Sequence, residues 1–350
     1  MRRGTRPPAH DSPPDSRTGH AAAPAGARPT GIPGVIARPL ATVADGPHRP
    51  FPFDNAFSVD LEDWQQSVLD RSLPVSTRFV APTYRLAELL ETVGVRATFF
   101  VLGNAALASP RLVADLAAAG HEMQIHGFDH QLVHRMSPEE FRQDLLRTRN
   151  IVQDITGRPV FGYRAPRFSI DHRCPWAFEV LAECGFRYDA SIVPMRVRGY
   201  GVAAWPRDFC RVRTRCGREL IEAPVAVGSV LGIPLPIGGG GFARLWPWAI
   251  LRRQFDKLKA AGRPAVFYCH PHEFDPDGLA HLAAPVPGLT RLHQGLGRRA
   301  MIERVRRLLQ RYRFGPIESF LGPTVLDQAS MPVHRAAPAP RPHTALLGSQ

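Results

Sequence analysis

Residues 137–164, SPEEFRQDLLRTRNIVQDITGRPVFGYR, describe a complete helix followed by a strand. The leading serine is a preferred helix N-cap, the proline after it suits the first helical position, and the glycine at 157 is a preferred C-terminal residue. The pattern therefore predicts a helix over Pro138–Thr156. The apolar stretch after the glycine predicts a short buried strand over Val160–Arg164.

The same alternation of strand and helix continues on both sides of this stretch. Further strands are predicted over Ala56–Asp60, Arg96–Leu102, Glu122–His126, Arg187–Ile192, Leu220–Pro224 and Ala265–His270. Further helices are predicted over Thr83–Thr92, Pro110–Ala119, Pro175–Cys184, Trp246–Ala261 and Arg298–Tyr312. Repeated alternation of this kind is typical of an α/β fold with a parallel sheet, either open or closed into a barrel.

The composition divides the 350 residues into three parts. Residues 1–50 hold ten prolines, seven arginines and no lysine, and the chain from residue 323 is again rich in alanine and proline. Such segments bury too little apolar surface to offset their ordering entropy. We therefore predict a disordered N-terminal segment over 1–50, one domain over 51–322 and a disordered tail over 323–350.

The net charge of +13 first suggests a nucleic acid or an anionic surface as partner. Four charges come from residues 1–50, where seven arginines face three aspartates, and many others lie on the amphipathic, arginine-rich helix 298–313. A solvated basic face is the favoured interpretation of that helix. An anionic membrane or polysaccharide comes second, and nucleic acid comes third because no nucleic-acid module accompanies the helix.

Two further observations exclude whole classes of protein. No apolar run approaches the roughly 18 residues that a membrane helix needs, which excludes an integral membrane protein. Five cysteines without C-x-x-C spacing exclude a disulfide scaffold and indicate reduced thiols. Prolines near the start also argue against a secretory signal peptide. These features favour a cytoplasmic location, at the inner membrane face if the protein attaches to a biosynthetic complex.

Ionisable residues stand at the carboxyl ends of five predicted strands, where barrel enzymes carry their chemistry. In chain order they are Asp60, Glu62, Asp63, His126, His130, Arg164, Asp189 and His270. Two histidines four residues apart offer neutral nitrogen ligands to zinc or a similar metal, and a nearby carboxylate completes the set. An acidic run or a histidine pair alone is typical of a solvated loop, but the joint pattern favours a metal site.

Five ordered motifs resemble those of the polysaccharide deacetylases, the NodB-homology carbohydrate esterases. They are VDLED at 59–63, HGFDH at 126–130, YRAPRFS at 163–169, YDAS at 188–191 and FYCHP at 267–271. The stretches GYRAPRFSI at 162–170, LPIGGGGF at 235–242 and HPHEFDP at 270–276 resemble the branch associated with exosortase and exopolysaccharide loci. The resemblance implies a distorted (β/α) barrel of about seven parallel strands.

The resemblance also implies catalytic roles. Asp60 would be the catalytic base, paired with and oriented by Arg164. His270 would be the general acid, and Asp189 would tune it. These roles suit amide hydrolysis, which needs a group to take the proton of the attacking water and another to protonate the departing amine.

His126 and His130 would bind a divalent metal, zinc first, with an acidic ligand from the first motif. Many relatives have two adjacent aspartates there, whereas Leu61 follows the first aspartate in this chain. Members with an Asp-x-Asp form use the third position, which favours Glu62, with Asp63 as the second choice. Such a metal activates water and stabilises the developing oxyanion.

Substrate contacts are predicted near these motifs. Trp64 adjoins the acidic run and could stack on a sugar face, and Tyr163 and Pro166 belong to the third motif. The glycine run 238–241 fits either a close approach to a sugar or a flexible loop. His272 stands where close relatives have an aromatic residue, which we interpret as a neutral substitution.

The sequence therefore predicts a metal-dependent hydrolase that removes N-acetyl groups from a polysaccharide, an exopolysaccharide above all, or from its lipid-linked precursor. Its partners would be that substrate and an exopolysaccharide biosynthesis complex at the membrane, rather than nucleic acid. Two alternatives stay open. One is a hydrolase of another non-peptide C–N bond, as in a cyclic amide or formamide, and the other is a non-catalytic carbohydrate- or surface-binding protein on the same fold.

Overall fold

The computed structural model describes residues 28–40, 52–279, 286 and 288–322. The strands, numbered in chain order, are β1 Arg28–Pro29, β2 Ile36–Pro39, β3 Asn55–Leu61, β4 Thr98–Val101, β5 Glu122–Ile125, β6 Gly162–Tyr163, β7 Tyr188–Asp189, β8 Cys210–Arg213, β9 Glu219–Glu222, β10 Val227–Val230, β11 Ile233–Pro236, β12 Ala265–Cys269 and β13 Phe314–Gly315. The helices are α1 Val80–Thr92, α2 Gly103–Ala108, α3 Pro110–Ala118, α4 Pro138–Thr156, α5 Ala177–Glu183, α6 Gly240–Leu245, α7 Trp248–Ala260, α8 Gly288–Gly295 and α9 Arg298–Arg311.

Seven strands form a continuous parallel sheet in the order β9, β7, β6, β5, β4, β3 and β12. The sheet closes on itself because Val225, just after β9, forms a parallel bridge with Val266 of β12. There the N–H of Ala226 donates to the carbonyl of Val266 over 3.0 Å. The prediction of a distorted barrel of about seven parallel strands is confirmed.

The six predicted helices are α1, α3, α4, α5, α7 and α9, each within three residues of its predicted ends. Helix α4 has the predicted bounds because local signals define both ends. Ser137 Oγ accepts the N–H of Glu140 over 3.2 Å, and Glu140 Oε2 accepts the N–H of Ser137 over 2.7 Å. Gly157 ends the helix with φ at +66°, a left-handed conformation that glycine adopts without a steric penalty.

Strand β3 is buried along its whole length, and its two faces have different surroundings. Phe57 packs in the hydrophobic core, with its ring 5.5 Å from that of Phe267 in β12. Ser58 and Asp60 project to the other side, where both contact the guanidinium of Arg164. Successive side chains of a strand point to opposite faces, so this alternation brings polar groups into the barrel interior.

Residues 28–40 correct the predicted N-terminal boundary. Strands β1 and β2 pair antiparallel, and β2 continues the sheet by pairing antiparallel with β8. Disorder over 1–50 is therefore wrong for this part, while residues 1–27, 41–50 and 323–350 lie outside the described residues. Residues 28–40 form strands because the proline-rich segment contains a local apolar run, of which Ile32, Val35 and Ala37 are buried.

The arginine-rich helix α9 makes more contacts with its own chain than a solvated face would. Arg298 is 3% exposed, and its Nη1 donates to the carbonyl of Asp275 over 3.2 Å. Arg304 Nη1 donates to the carbonyl of Ala243 over 3.0 Å, and Arg311 pairs with Asp256. Within the described residues, no helix has the length and apolar character needed to cross a membrane.

Candidate metal and catalytic site

Three buried side chains meet at the carboxyl ends of β3 and β5. Glu62 follows β3, and His126 and His130 follow β5. Their ligand atoms all lie within 4.8 Å of one another, and Glu62 Oε2 is 3.0 Å from His130 Nε2. His130 turns back toward the strand end because its backbone is left-handed, with φ at +64°, a region where histidine is enriched. The predicted histidine pair therefore shares one buried cluster with a carboxylate.

The ring of His126 is fixed by the neighbouring strand. Its Nδ1 donates to the carbonyl oxygen of Arg164 over 2.8 Å, which leaves Nε2 free to bind a metal. Burial lowers the pKa of His126 to about 4. The imidazole is therefore neutral at pH 7, which is the form that coordinates metal ions.

The geometry of the first motif distinguishes Glu62 from Asp63. Asp60 and Glu62 are two residues apart and project to the same side of the extended chain. Asp63 Oδ2 instead accepts the N–H of Ser76 over 2.7 Å, and its Oδ1 accepts the N–H of Gln65 over 3.3 Å. Asp63 therefore holds the loop that follows, and Glu62 is the acidic member of the cluster.

Asp60 and Arg164 form a buried ion pair beside this cluster. Arg164 Nη1 lies 2.7 Å from Asp60 Oδ1 and also donates to Ser58 Oγ over 2.9 Å. Arg164 is fully buried, its Nε donates to the carbonyl of Ala190, and its guanidinium lies 4.2 Å from the ring centre of Phe100. The other carboxylate oxygen of Asp60, Oδ2, lies 3.8 Å from His270 Nε2.

His270 follows β12 and faces both acidic groups. Its Nε2 lies 3.8 Å from Asp60 Oδ2 and 3.9 Å from Glu62 Oε1. The side chain is 23% exposed, more than the other members of the site. Burial opposes its protonation, but the neighbouring carboxylates of Glu273, Glu62 and Asp60 raise the pKa of His270 to about 9. His270 is therefore protonated at neutral pH, the form in which a histidine can donate a proton.

The structure reveals a second buried ion pair, which the sequence analysis missed. Glu273 Oε2 lies 3.7 Å from His270 Nδ1 and accepts the His270 N–H over 3.0 Å, while its Oε1 lies 3.1 Å from Arg244 Nε. Arg244 Nη1 also donates to the carbonyls of Gln294 and Leu296. The three-residue spacing of His270 and Glu273, as in a capping box, was the available signal.

The glycine run 238–241 serves this arrangement through close approaches within the chain. A Cβ on Gly240 would lie 1.8 Å from Glu273 Oε2, and one on Gly238 would lie 2.6 Å from the backbone of Ala226 and Val266. Glycine is needed where backbone and neighbouring groups come this close. The run therefore packs against the barrel and the Glu273 carboxylate.

Asp189 does not occupy the place predicted for it beside His270. Its Oδ1 accepts the hydroxyl of Ser191 over 2.5 Å, and its neighbour across β7 and β9 is another buried carboxyl group, that of Glu222. Burial raises the pKa of Asp189 to about 6 and that of Glu222 well above its usual value. Glu273 takes the position next to His270, because it lies only three residues further along the chain.

The predicted substrate contacts lie in the protein interior. Trp64 is 5% exposed, with its ring 5.3 Å from that of His272, and Tyr163 is 1% exposed and packs on Phe141. Pro166 is also buried. Aromatic residues in a barrel of this size fill the core between sheet and helices, so these three side chains offer no free face for a sugar to stack on.

Two family models match different parts of the chain. Residues 78–188 match the family model of polysaccharide deacetylases, and residues 190–322 match a domain of unknown function, DUF3473. About a third of the chain is thus similar to the polysaccharide deacetylases. That part contains the histidine pair and Arg164, and the part that matches DUF3473 contains His270.

Named relatives align with a part of this chain. The peptidoglycan deacetylase-like protein FGM2 of Gibberella zeae is 28% identical over 110 residues, which are 31% of this chain and 32% of the relative. The peptidoglycan deacetylase of Helicobacter pylori is 28% identical over 109 residues, 31% of this chain and 36% of its own. The peptidoglycan-N-acetylglucosamine deacetylase PgdA of Listeria monocytogenes is 35% identical over 81 residues, which are 21% of this chain and 17% of the relative. The chain spans about a third or less of these relatives.

Solved structures share the fold more widely. A Mycobacterium smegmatis protein assigned to the polysaccharide deacetylases is 21% identical, with a TM-score of 0.52 over 84% of this chain and 99% of that one. Puue allantoinase is 16% identical, with a TM-score of 0.51 over 78% of this chain and 90% of the allantoinase. At these identities the likeness concerns the fold alone.

Proposed function

We propose that the protein is a metal-dependent hydrolase that removes N-acetyl groups from amino sugars of a polysaccharide or of its lipid-linked precursor. One observation carries the proposal. Asp60 lies between Arg164 and His270, and all three border the buried cluster of Glu62, His126 and His130. A base and a proton donor therefore face the same metal-binding group of side chains.

The donor set fits a divalent metal such as zinc. Two imidazole nitrogens and one carboxylate oxygen form the three-ligand set that catalytic zinc sites use. His130 Nε2 and Glu62 Oε2 face each other at 3.0 Å, and a cation satisfies both atoms when the imidazole is neutral. Interaction with the three histidines holds the pKa of Glu62 below its usual range despite its burial, so the carboxylate is charged. A bound divalent ion supplies Lewis-acid polarisation of the acetyl carbonyl and makes bound water more acidic.

The protein's own residues divide the proton transfers. Asp60 Oδ1 is held by Arg164, so Oδ2 is the oxygen that accepts the proton of the attacking water. His270 donates a proton to the departing nitrogen, and its ring is oriented by Glu273. Water and acetamide thus become acetate and a free amine. The proton taken by Asp60 balances the one that His270 gives up.

The substrate class rests on the relatives and on the resemblance of three stretches of the chain. Two relatives carry names of enzymes that deacetylate peptidoglycan, which is an N-acetylated amino-sugar polymer. The stretches 162–170, 235–242 and 270–276 resemble the exopolysaccharide branch, which supports an exopolysaccharide as substrate. We also propose a cytoplasmic place beside an exopolysaccharide biosynthesis complex.

Acetate release tests the proposal. Purified protein is stripped with a chelator, reloaded with zinc and assayed on acetylated oligosaccharides of glucosamine, with metal content measured in parallel. We expect activity only after reloading, and we expect His126→Ala to lose both the metal and acetate release while circular dichroism shows an intact fold.

Asp60→Asn is the matched variant for the chemistry. It should keep the metal and lose about a hundredfold or more of acetate release, since general-base catalysis contributes about that much. Turnover that persists after complete metal removal would contradict the proposal. Hydrolysis of a cyclic amide without any acetate release would favour the other C–N hydrolase, and sugar binding without any turnover would favour a binding protein.

A further inference from the structure

The hairpin formed by β10 and β11 exposes apolar side chains at its tip. Leu231 is 96% exposed, Ile233 is 69% exposed and Val230 is 41% exposed. Among the described residues, the two strands pair with each other and with no further strand, and Val230 lies opposite Ile233. Single exposed apolar residues are normal on a protein surface, but three together on one projecting element indicate a contact surface.

The turn itself makes this composition more unusual. Leu231 and Gly232 are its two central residues, and both have positive φ, +49° and +79°. Two-residue hairpin turns with positive φ at both positions strongly favour asparagine, aspartate or glycine. A leucine there is strained and gains no burial in return. Neither folding nor solubility therefore accounts for Leu231.

The hairpin stands on the catalytic side of the barrel. Val225 pairs in parallel with Val266, and β12 runs from there toward His270, so the chain that leaves Val225 heads toward the same end. At the base of the hairpin, Val227 packs in a cluster with Phe168 and Tyr268. The apolar tip and the active site consequently share one face of the molecule.

Amphipathic and cationic residues surround the base of the hairpin. The indole N–H of Trp246, a half-buried residue, donates to the carbonyl of Pro236 over 3.0 Å, and Leu245 is 41% exposed. Arg196 and Arg198 are exposed, and neither pairs with a carboxylate in the part of the chain that the structure describes. They flank Val197, which packs against the cluster of Val227.

We propose that this hairpin docks the catalytic face onto an anionic lipid bilayer, with Leu231 and Ile233 inserted below the headgroups. An apolar tip, a tryptophan at the boundary and exposed arginines form the combination that binds at a membrane interface. The arginines match the negative surface of an anionic leaflet, which gives this occupant the charge complementarity that a neutral surface lacks. The inference deepens the proposed function and rests on it, because docking brings the site to a lipid-linked sugar.

Vesicle binding tests the inference without any turnover. The full chain is sedimented with vesicles of phosphatidylglycerol and phosphatidylcholine, and with vesicles of phosphatidylcholine alone. Binding is expected to the anionic vesicles and to weaken with salt. Leu231→Asn relieves the strained turn and should lower the partition constant about tenfold, as should Ile233→Ser. Arg196→Gln with Arg198→Gln should reduce the salt dependence.

Leu107→Asn is the matched control, because Leu107 is 55% exposed on α2, outside the hairpin. It should bind vesicles as the wild type does, and every variant should release acetate from a soluble oligosaccharide at the wild-type rate. The inference is overturned if the wild type ignores anionic vesicles or if Leu231→Asn binds them equally well. A dimer in light scattering that Leu231→Asn dissociates would assign the hairpin to a second copy instead. Vesicle binding by a protein that releases no acetate would contradict the proposed function but not the docking of the hairpin to the bilayer.

Discussion

The proposed mechanism divides the chemistry between two parts of the barrel. It assigns the metal cluster and the base to residues 52–189, where short strands and neighbouring backbone groups hold these side chains. It assigns the proton donor and its support to residues 190–322, where the buried pair of Arg244 and Glu273 holds them. The first part matches a deacetylase model over 78–188, and the second matches a domain of unknown function. Metal binding and proton delivery should therefore respond separately to mutation.

The largest effect is expected in the first part. Glu62→Gln should lose the metal and reduce acetate release by about a hundredfold or more, since the charge stabilisation by a metal ion is worth several kcal/mol. Asp63→Asn is the matched control, because an amide oxygen still accepts the N–H of Ser76. Metal content and acetate release are measured for both. Loss of metal in the Asp63 variant alone would reverse the ligand assignment.

A smaller effect is expected in the second part. Glu273→Gln should keep the metal but lower kcat by about ten- to a hundredfold, as the loss of an orienting partner does. It also leaves Arg244 buried without its counter-charge, which costs about 3–5 kcal/mol of unfolding free energy. Rates are therefore measured well below the melting temperature, and Glu273→Asp should recover part of kcat. If Glu273→Gln also lost the metal, metal binding in the first part would depend on the second part.

This division also explains what the sequence could and could not reveal. The cluster of the first part was predictable because period-two alternation and strand ends are local features, as in Asp60 and Glu62. Asp63 could not be dismissed from sequence, since its hydrogen bonds reach to Ser76. The contact of Arg244 with Glu273 spans 29 residues and depends on the glycine run, so no local pattern shows it. Asp189 was misplaced for the same reason, because its partner Glu222 comes from a later strand.

The pairing of β7 with β9, which joins the two parts, should make the stability of the protein depend on pH. Asp189 and Glu222 face each other across it, and burial raises the pKa of both carboxyl groups, that of Asp189 to about 6. A carboxyl group whose pKa is raised by folding contributes its full share of unfolding free energy below about pH 4. This contribution is lost as the pH rises through the folded-state pKa. Asp189→Asn should therefore reduce the loss of unfolding free energy between pH 5 and pH 8 by about 1–3 kcal/mol.

Urea denaturation at the two pH values measures this difference. Asp115→Asn serves as the control, since Asp115 is partly exposed on α3 and should leave the pH dependence as it is. A pH dependence that Asp189→Asn does not alter would show that Asp189 and Glu222 are both ionised in the folded protein. The two carboxylates would then repel each other where the two parts meet.

The smallest effect concerns the local signals of the first part. Ser137→Ala removes the side chain that caps α4, and loss of such a cap costs about 1 kcal/mol. Urea denaturation should show this decrease, with metal content and acetate release unchanged, because α4 supports the sheet from outside the site. Ser137→Asp keeps a capping acceptor and should restore the stability. A loss of metal in Ser137→Ala would mean that the cluster depends on helix packing as well as on the strand ends, and the local account of the first part would fail.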